Sequence, residues 1–454
     1  MLFSSNVFLF AYLPIVLLVY YLCPRVLRNP VLLLVSLVFY GWGEPVYLLL
    51  MVFDILLNYL FGYRIHVLRK NGRSAKATLI AGVAANLLLL GYFKYAGVLL
   101  GLFPGVPVPR ISLPVGISFY IFQSMSYIID VYRNDAPVQR NPLTFGTYVS
   151  LFPQLIAGPI VRYHDVAAQL ESRQHTLDKF SSGILLFTLG LAKQGLLANP
   201  MGALWDQLRL SGGMLGSWEG IIAYALQISF DFSGYSDMAR GLGRMLGFEF
   251  LENFNYPYIS ATITEFWRRW HISLSTWFKG YVYIPLGGNR KGLKRQVLNL
   301  AIVWSLTGLW HGANWNFLLW GMYYALLLIC EKLFLLKVLE KCPKVLGHIY
   351  SLIAILLGWS LFYFEDLGAL GRFFTELVSF RATDGHSLRV IIGHLPLLLA
   401  AAVASTPLLK NLADRYSGSA AVRWGKIALC MVFLGLCVAS LASQSYNPFI
   451  YFRF

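Results

Sequence analysis

Apolar residues run through this chain in long, almost uninterrupted stretches divided by short polar turns, the pattern of helices that cross a bilayer. Spans are predicted at Val7 to Leu22, Thr78 to Phe103, Ile111 to Val131, Lys179 to Ala198, Trp218 to Arg240, Gln296 to Trp310, Trp315 to Leu336, Leu346 to Phe364, Leu388 to Leu409 and Lys426 to Ser443. The first is followed by Cys23, Pro24 and Arg25 without a small-residue cleavage pattern, so it reads as a retained span and not as a signal peptide. Val31 to Tyr63 has two readings, because Gly41 to Pro45 is either a kink in one long span or the tip of a hairpin.

Two stretches break the pattern. Phe145 to Val161 contains Pro153, Gly158 and Pro159 and cannot continue as one helix, which predicts a re-entrant piece buried in protein. Phe254 to Gly288 sets aromatics at every third or fourth position against Glu265, Arg268, Arg269, His271 and Lys279, the two-faced pattern of a helix lying in the membrane interface.

Basic residues then orient the chain. One side receives Arg64, Arg69, Lys70, Arg73 and Lys76, then Arg290, Lys291, Lys294 and Arg295, and later Lys337, Lys341, Lys344, Lys410, Arg415 and Arg423. The other receives little beyond Arg110, Arg209, Arg372 and Arg381, so the first side is predicted to be cytoplasmic. His311 then falls at the outer end of its span. The sixteen residues from Arg295 to Trp310 cover about 24 Å as a helix, less than the roughly 30 Å hydrocarbon core, which implies a thinned bilayer or a depression reached from outside.

Composition agrees with a polytopic all-α membrane protein: of 454 residues, 57% are hydrophobic and 13% charged. The net charge of +16 lies in short loops, where the positive-inside rule accounts for it, and no basic domain remains to hold a nucleic acid. The five cysteines form no CxxC pair, which suggests neither a disulfide framework nor a thiolate metal site.

Candidate chemistry lies in polar residues at membrane depth, where ionisable side chains are costly and mark function by default. WHGAN places His311 and Asn314 in a very short connection between two apolar runs. DFSGYSD holds Asp231, Ser233 and Asp237, of which Ser233 and Asp237 share a helix face at i and i+4. EFWRRWHIS spaces Glu265, Arg268 and His271 three apart, as one polar ridge on a helix. Mutual neutralisation of buried charges is the alternative for Asp231, Asp237 and Glu265. No HExxH, GxSxG elbow, P-loop or GxGxxG is present, so no metal site is predicted and hydrolase and nucleotide-cradle chemistry lack support. A histidine remains, with an ordinary pKa near 6.5 suited to general-base work.

The ordered motifs FYGWGEP, LPVGISFYIFQ, FPQLIAGPI, DFSGYSDMA, NFNYPYIS, FWRRWHISLSTWF, YIPLGGNR, WHGANWNF and SYNPFIYFRF cover essentially the whole chain. Together they resemble the membrane-bound O-acyltransferase family, within it the bacterial branch that O-acetylates alginate, with teichoic acid D-alanine transfer proteins more distant. The resemblance implies a single membrane-embedded domain over residues 1–454, with about eleven spans and re-entrant or interfacial helices around a central funnel. It makes His311 the essential histidine and His271 the second one of the active region. It further implies transfer of an acyl group, acetyl above others, from a cytoplasmic thioester such as acetyl-coenzyme A to a hydroxyl of an exported polysaccharide or carrier, with no bound cofactor. Expected partners are the lipid bilayer of the bacterial inner membrane and an exported or membrane-tethered acyltransferase. Trp310, Asn314 or nearby backbone amides are candidate oxyanion donors. Two other readings use the same residues: a transporter or flippase with a buried proton relay, and a scaffold that anchors an outer enzyme.

Overall fold

A computed structural model describes residues 1–101, 103, 107, 112–209, 213–416 and 418–443. Arg110, Ile111 and the terminal SYNPFIYFRF stretch lie outside the described residues. The architecture is all-helical, with no strand among the described residues, as expected where a bilayer leaves backbone groups no water to bond. Contacts divide the chain into two compact units, Met1–Phe187 with Tyr235–Leu251, and Thr188–Gly234 with Glu252–Phe454.

The first unit carries α1 (Leu13–Leu22), α2 (Arg28–Gly41), α3 (Leu48–Lys70), α4 (Lys76–Gly101) and α5 (Ile117–Arg133). Gly41 to Pro45 therefore falls at a break between two helices, with residues 42–47 non-helical between α2 and α3. A polar cluster locks α3, α4 and α5 together. Asp54 accepts from Ser124 Oγ at 2.6 Å and Asn58 Nδ2 at 2.9 Å, and Asn86 Nδ2 donates to Asn58 Oδ1 at 2.7 Å. All four side chains are buried, so each needs these partners. The stretch with three breakers folds as α6 (Pro142–Ser150) and α7 (Phe152–Leu155) followed by irregular chain, and residues 144–161 are buried throughout. Asn141 caps α6 by accepting from the Leu143 and Thr144 amides. Next come α8 (Tyr163–Glu171) and α9 (Leu177–Ala192), whose end continues through a π-helical segment into α10 (Asn199–Leu208).

The 32-residue α11 (Met214–Met245) contributes residues to both units. In the second unit it is followed by two short helices, α12 (Ile263–Arg269) and α13 (Ile272–Phe278), and then by the hairpin of α14 (Gly292–His311) and α15 (Trp315–Cys330). The helix bearing His311 starts at Gly292, ahead of the apolar run, because Lys294 and Arg295 are good helix formers. Gly308 and Gly321 let the hairpin close. A Cβ on Gly308 would collide with the Phe317 carbonyl, and one on Gly321 with the Trp304 carbonyl. Beyond a π-helical turn at Glu331–Leu335 lie α16 (Leu336–Leu339), α17 (Lys344–Tyr363), α18 (Leu367–Val378), α19 (Gly385–Ala404), α20 (Leu408–Arg415) and α21 (Ala420–Ser443).

Six stretches among the described residues are by themselves long and apolar enough to cross a membrane: Leu48–Lys70, Lys76–Gly101, Leu177–Leu208, Lys344–Tyr363, Gly385–Ala404 and Ala420–Ala442. Others are shorter than a full span, α1, α2, α5 and α15 among them, and Asp231, Ser233 and Ser236 of α11 are buried within protein, so that helix carries polarity that a lipid-facing helix could not.

Candidate active site

Local sequence dictates how the two histidines are presented. Thr262 caps α12 by accepting from the Glu265 amide at 3.0 Å, and the Glu265 carboxylate accepts the amide of Ala261, the residue before the cap, at 3.0 Å. The helix stops at Arg269, and His271 takes a left-handed conformation, φ +44°, between α12 and α13. Such a φ costs a non-glycine residue of the order of 1–2 kcal/mol, and here it turns the ring away from the face of α12. The expected ridge therefore does not form. Glu265 pairs with Arg269 at 2.9 Å, Arg268 is exposed, and His271 is buried elsewhere.

His271 is held by a residue that its sequence neighbourhood does not reveal. Asn253 Oδ1 accepts the Ser273 amide at 3.0 Å and the Ser273 hydroxyl at 2.9 Å, which fixes the orientation of the amide. The same oxygen lies 3.2 Å from His271 Nδ1. An acceptor facing Nδ1 requires Nδ1–H, so Nε2 carries the lone pair. Nε2 is buried and has no hydrogen-bond partner among the described residues. The residue lies in a connecting segment outside the spanning helices. Burial pushes its imidazole down to about 3, so the ring is neutral at physiological pH.

His311 ends α14, buried against Trp310, Trp320 and Phe362 with ring centroids 4.9, 5.1 and 5.1 Å away. Trp310 also stands 6.3 Å from the His271 ring, so one indole adjoins both imidazoles. The two histidines line one aromatic cavity of about 20 Å³. Its walls come from Ile228 and Phe232 of α11, Trp267, Trp270 and Leu274 of the short-helix segment, Trp320 of α15, and Trp359 and Phe362 of α17. That volume is room for about one water.

The remaining candidates separate. Asp231 accepts from Gln194 Nε2 at 2.9 Å and is buried beside the wall residue Phe232 without lining the cavity. Ser233 is likewise buried outside the lining. Asp237 pairs with Arg240 at 3.2 Å along α11 and is not part of the cavity lining. Asn314 is exposed at the start of α15 and is not part of the cavity lining, and its carbonyl accepts the Phe317 amide at 3.2 Å. Asn316, in the first turn of α15, is the buried asparagine beside this connection, donating to the Phe362 carbonyl at 2.9 Å.

Glu331 is the second residue that pattern reading passes over. Its carboxylate accepts the Ile263 amide at 2.6 Å, the Thr264 amide at 2.8 Å, the Thr264 hydroxyl at 2.6 Å and the Tyr350 hydroxyl at 3.2 Å. It thereby ties the start of α12, and with it the approach to His271, to the end of α15. A lone carboxylate inside an apolar run was the available signal.

Comparison with known proteins agrees with a multi-helix membrane protein. Residues 132–367 match the model of the membrane-bound O-acyltransferase family. A protein of Pseudomonas putida named as a probable alginate O-acetylase is 40% identical over the full length of both chains. The peptidoglycan O-acetyltransferase of Helicobacter pylori is 30% identical over 100% of this chain and 98% of its own. The teichoic acid D-alanyltransferase of Bacillus subtilis is 28% identical over 48% of this chain and 59% of its own. The protein is thus a multi-pass membrane enzyme of acyl transfer. It belongs to the membrane-bound O-acyltransferase family.

Proposed function

We propose that this enzyme moves an acetyl group from a cytoplasmic thioester, acetyl-coenzyme A, to a hydroxyl presented on the outer face of a bacterial inner membrane, for O-acetylation of an exported or cell-surface polysaccharide. The observation that carries the reading is the pair of buried histidines, His271 and His311, on one aromatic cavity. Relatives named for O-acetylation of alginate and of peptidoglycan support the acetyl group and a polymeric acceptor. D-alanyl transfer is the second reading, favoured by the shorter match to the teichoic acid enzyme.

In the proposed step the acceptor oxygen attacks the thioester carbonyl carbon while His311 takes the hydroxyl proton. The carbon–sulfur bond breaks as the tetrahedral intermediate collapses, and the proton passes to the departing sulfur. Ester and free thiol are the products, and no cofactor is consumed. His271, neutral and lining the same cavity, orients the acceptor hydroxyl or shares the proton. The basic NRKGLKR segment, residues 289–295, supplies positive charge for the phosphates of the donor.

The longest predicted outer connection, Glu365 to Ser387, is too short to form a groove that orients a sugar chain, and α18 occupies much of it. Near-attack positioning of a polymer hydroxyl therefore falls to an exported or membrane-tethered acyltransferase that receives the group. The test is reconstitution in vesicles with labelled acetyl-coenzyme A inside and polysaccharide outside, with and without a candidate exported acyltransferase. Label appearing outside only when His311 is intact is the expected result. Efficient labelling of the polymer by the chain alone would remove the partner from the scheme, and release of no thiol under any condition would remove the thioester donor.

A further inference from the structure

We propose that Arg28, Arg173 and His175, gathered around Tyr20 at the end of α1, form a binding site for the phosphate of an anionic phospholipid. All of these residues belong to the first unit and none touches the acyl-transfer cavity.

The hydrogen bonds define the cluster. The Tyr20 hydroxyl is buried, donates to the Leu246 carbonyl at 2.9 Å and accepts from Arg173 Nε at 2.9 Å. Its single proton is then used, so His175 Nε2, 2.9 Å away, must be the donor to it. That leaves His175 Nδ1 as the acceptor for Arg28, whose guanidinium lies 3.1 Å away. His175 is accordingly neutral. It lies outside the spanning helices, and burial followed by the charges of Arg28, Arg173 and Arg25 pushes its pKa down to about 4. Arg173 also donates to Asn29 Oδ1 at 2.8 Å and lies over the Phe248 ring at 4.5 Å.

Every acceptor named for these two guanidinium groups is neutral. Arg28 Nε and Arg173 Nη2 are buried with no hydrogen-bond partner among the described residues. The nearby carboxylates are engaged elsewhere, Glu249 with Arg244 at 3.2 Å and Lys179 at 3.6 Å, and Glu171 with Gln139 at 2.8 Å. Two partly buried cations with donors to spare and no counter-charge among the described residues are expensive, and an anion with several acceptor oxygens completes them.

The border of the cluster selects the source of that anion. Leu22 is 76% exposed, Val26 87% and Leu177 87%, and these residues flank Arg25, Arg28 and His175 in sequence at the end of an apolar helix. A free phosphate has no use for such a border, whereas a phospholipid places its headgroup on the arginines and its acyl chains on the leucines and valine.

Purified full-length protein in detergent is given phosphatidylglycerol, phosphatidylcholine or inorganic phosphate, with binding read by native mass spectrometry and by thermal unfolding. Phosphatidylglycerol should stay bound and raise the unfolding midpoint, and the other two should not. Arg28→Gln and Arg173→Gln should each weaken its retention about fivefold, the loss of one basic side chain at a lipid surface. Arg64→Gln, which removes the same charge from an exposed position elsewhere, should leave retention unchanged. An equal response to inorganic phosphate would assign a free anion instead, and equal retention of phosphatidylcholine, no retention of any lipid, or undiminished retention in the double variant would overturn the site. The three-ligand comparison on the native chain decides even where a variant does not fold.

Discussion

Asn253 and His271 are eighteen residues apart in sequence, yet the amide oxygen of one and Nδ1 of the other meet at 3.2 Å in a buried pocket. Because that oxygen is simultaneously fixed by the Ser273 amide, the contact sets which imidazole nitrogen keeps its proton. The lone pair that could meet a substrate is then Nε2.

Replacing Asn253 by Asp puts a carboxylate against that ring. The imidazole, neutral in the native protein because burial pushes its pKa down, gains an opposite charge that raises it. The neutral form is then lost as pH falls through a higher value, so the acid limb of the activity profile should move upward, with acyl transfer recovering as pH is raised. Asn253→Ala should lower transfer at all pH values without that displacement. A rate–pH profile at matched membrane levels distinguishes the two, and an unmoved acid limb in Asn253→Asp would deny His271 a part in the reaction.

His311→Ala should leave an inserted, folded protein and reduce acyl transfer about 10²- to 10⁴-fold, the usual contribution of a positioned general base. Thiol release from acetyl-coenzyme A in purified, equally expressed protein checks it. Activity within a few-fold of native would assign the proton transfer to another group.

Glu331→Ala should be destabilising as well as inactivating, because it strands two amides and two hydroxyls that now share one carboxylate. Each buried donor left without its acceptor costs about 1–3 kcal/mol. Glu331→Gln, with one acceptor oxygen, should fall between. Unfolding midpoints in detergent, read beside activity, test whether the tether of α12 to α15 is what holds His271 in place.

Sidedness can be read with single cysteines in a chain lacking the native five. Lys291 precedes α14 and is exposed, while Asp384 caps α19 through the His386 and Ser387 amides, so His386, exposed beside it, is the better outer probe. An impermeant thiol reagent on intact cells should label the cysteine at 386 and spare the one at 291. The reverse result would place His311 at the cytoplasmic end of α14.

Much of this was legible from pattern. The three-residue link Gly312 to Asn314 joins α14 to α15 where the WHGAN motif sits, and the chain breaks at Gly41 to Pro45 and near Pro153 as glycine and proline dictate. The ridge of Glu265, Arg268 and His271 was misread because i, i+3 spacing presumes a continuous helix, and the positive φ of His271 leaves no trace in periodicity. Asn253 and Glu331 act across 18 and 67–68 residues of sequence, and Tyr20 meets Arg173 across 153. Such contacts follow from packing, which no local window contains.

A cavity with space for little more than one solvent molecule also bears on waste. An activated ester bond in bulk water is lost to hydrolysis in proportion to the solvent that reaches it, and the tryptophan and phenylalanine walls around His271 and His311 hold that number low. In the absence of an acceptor the enzyme should therefore idle without draining its donor. Widening the wall, by Trp320→Ala or Phe362→Ala, should reveal itself first as acceptor-independent thiol release, a leak rather than a loss.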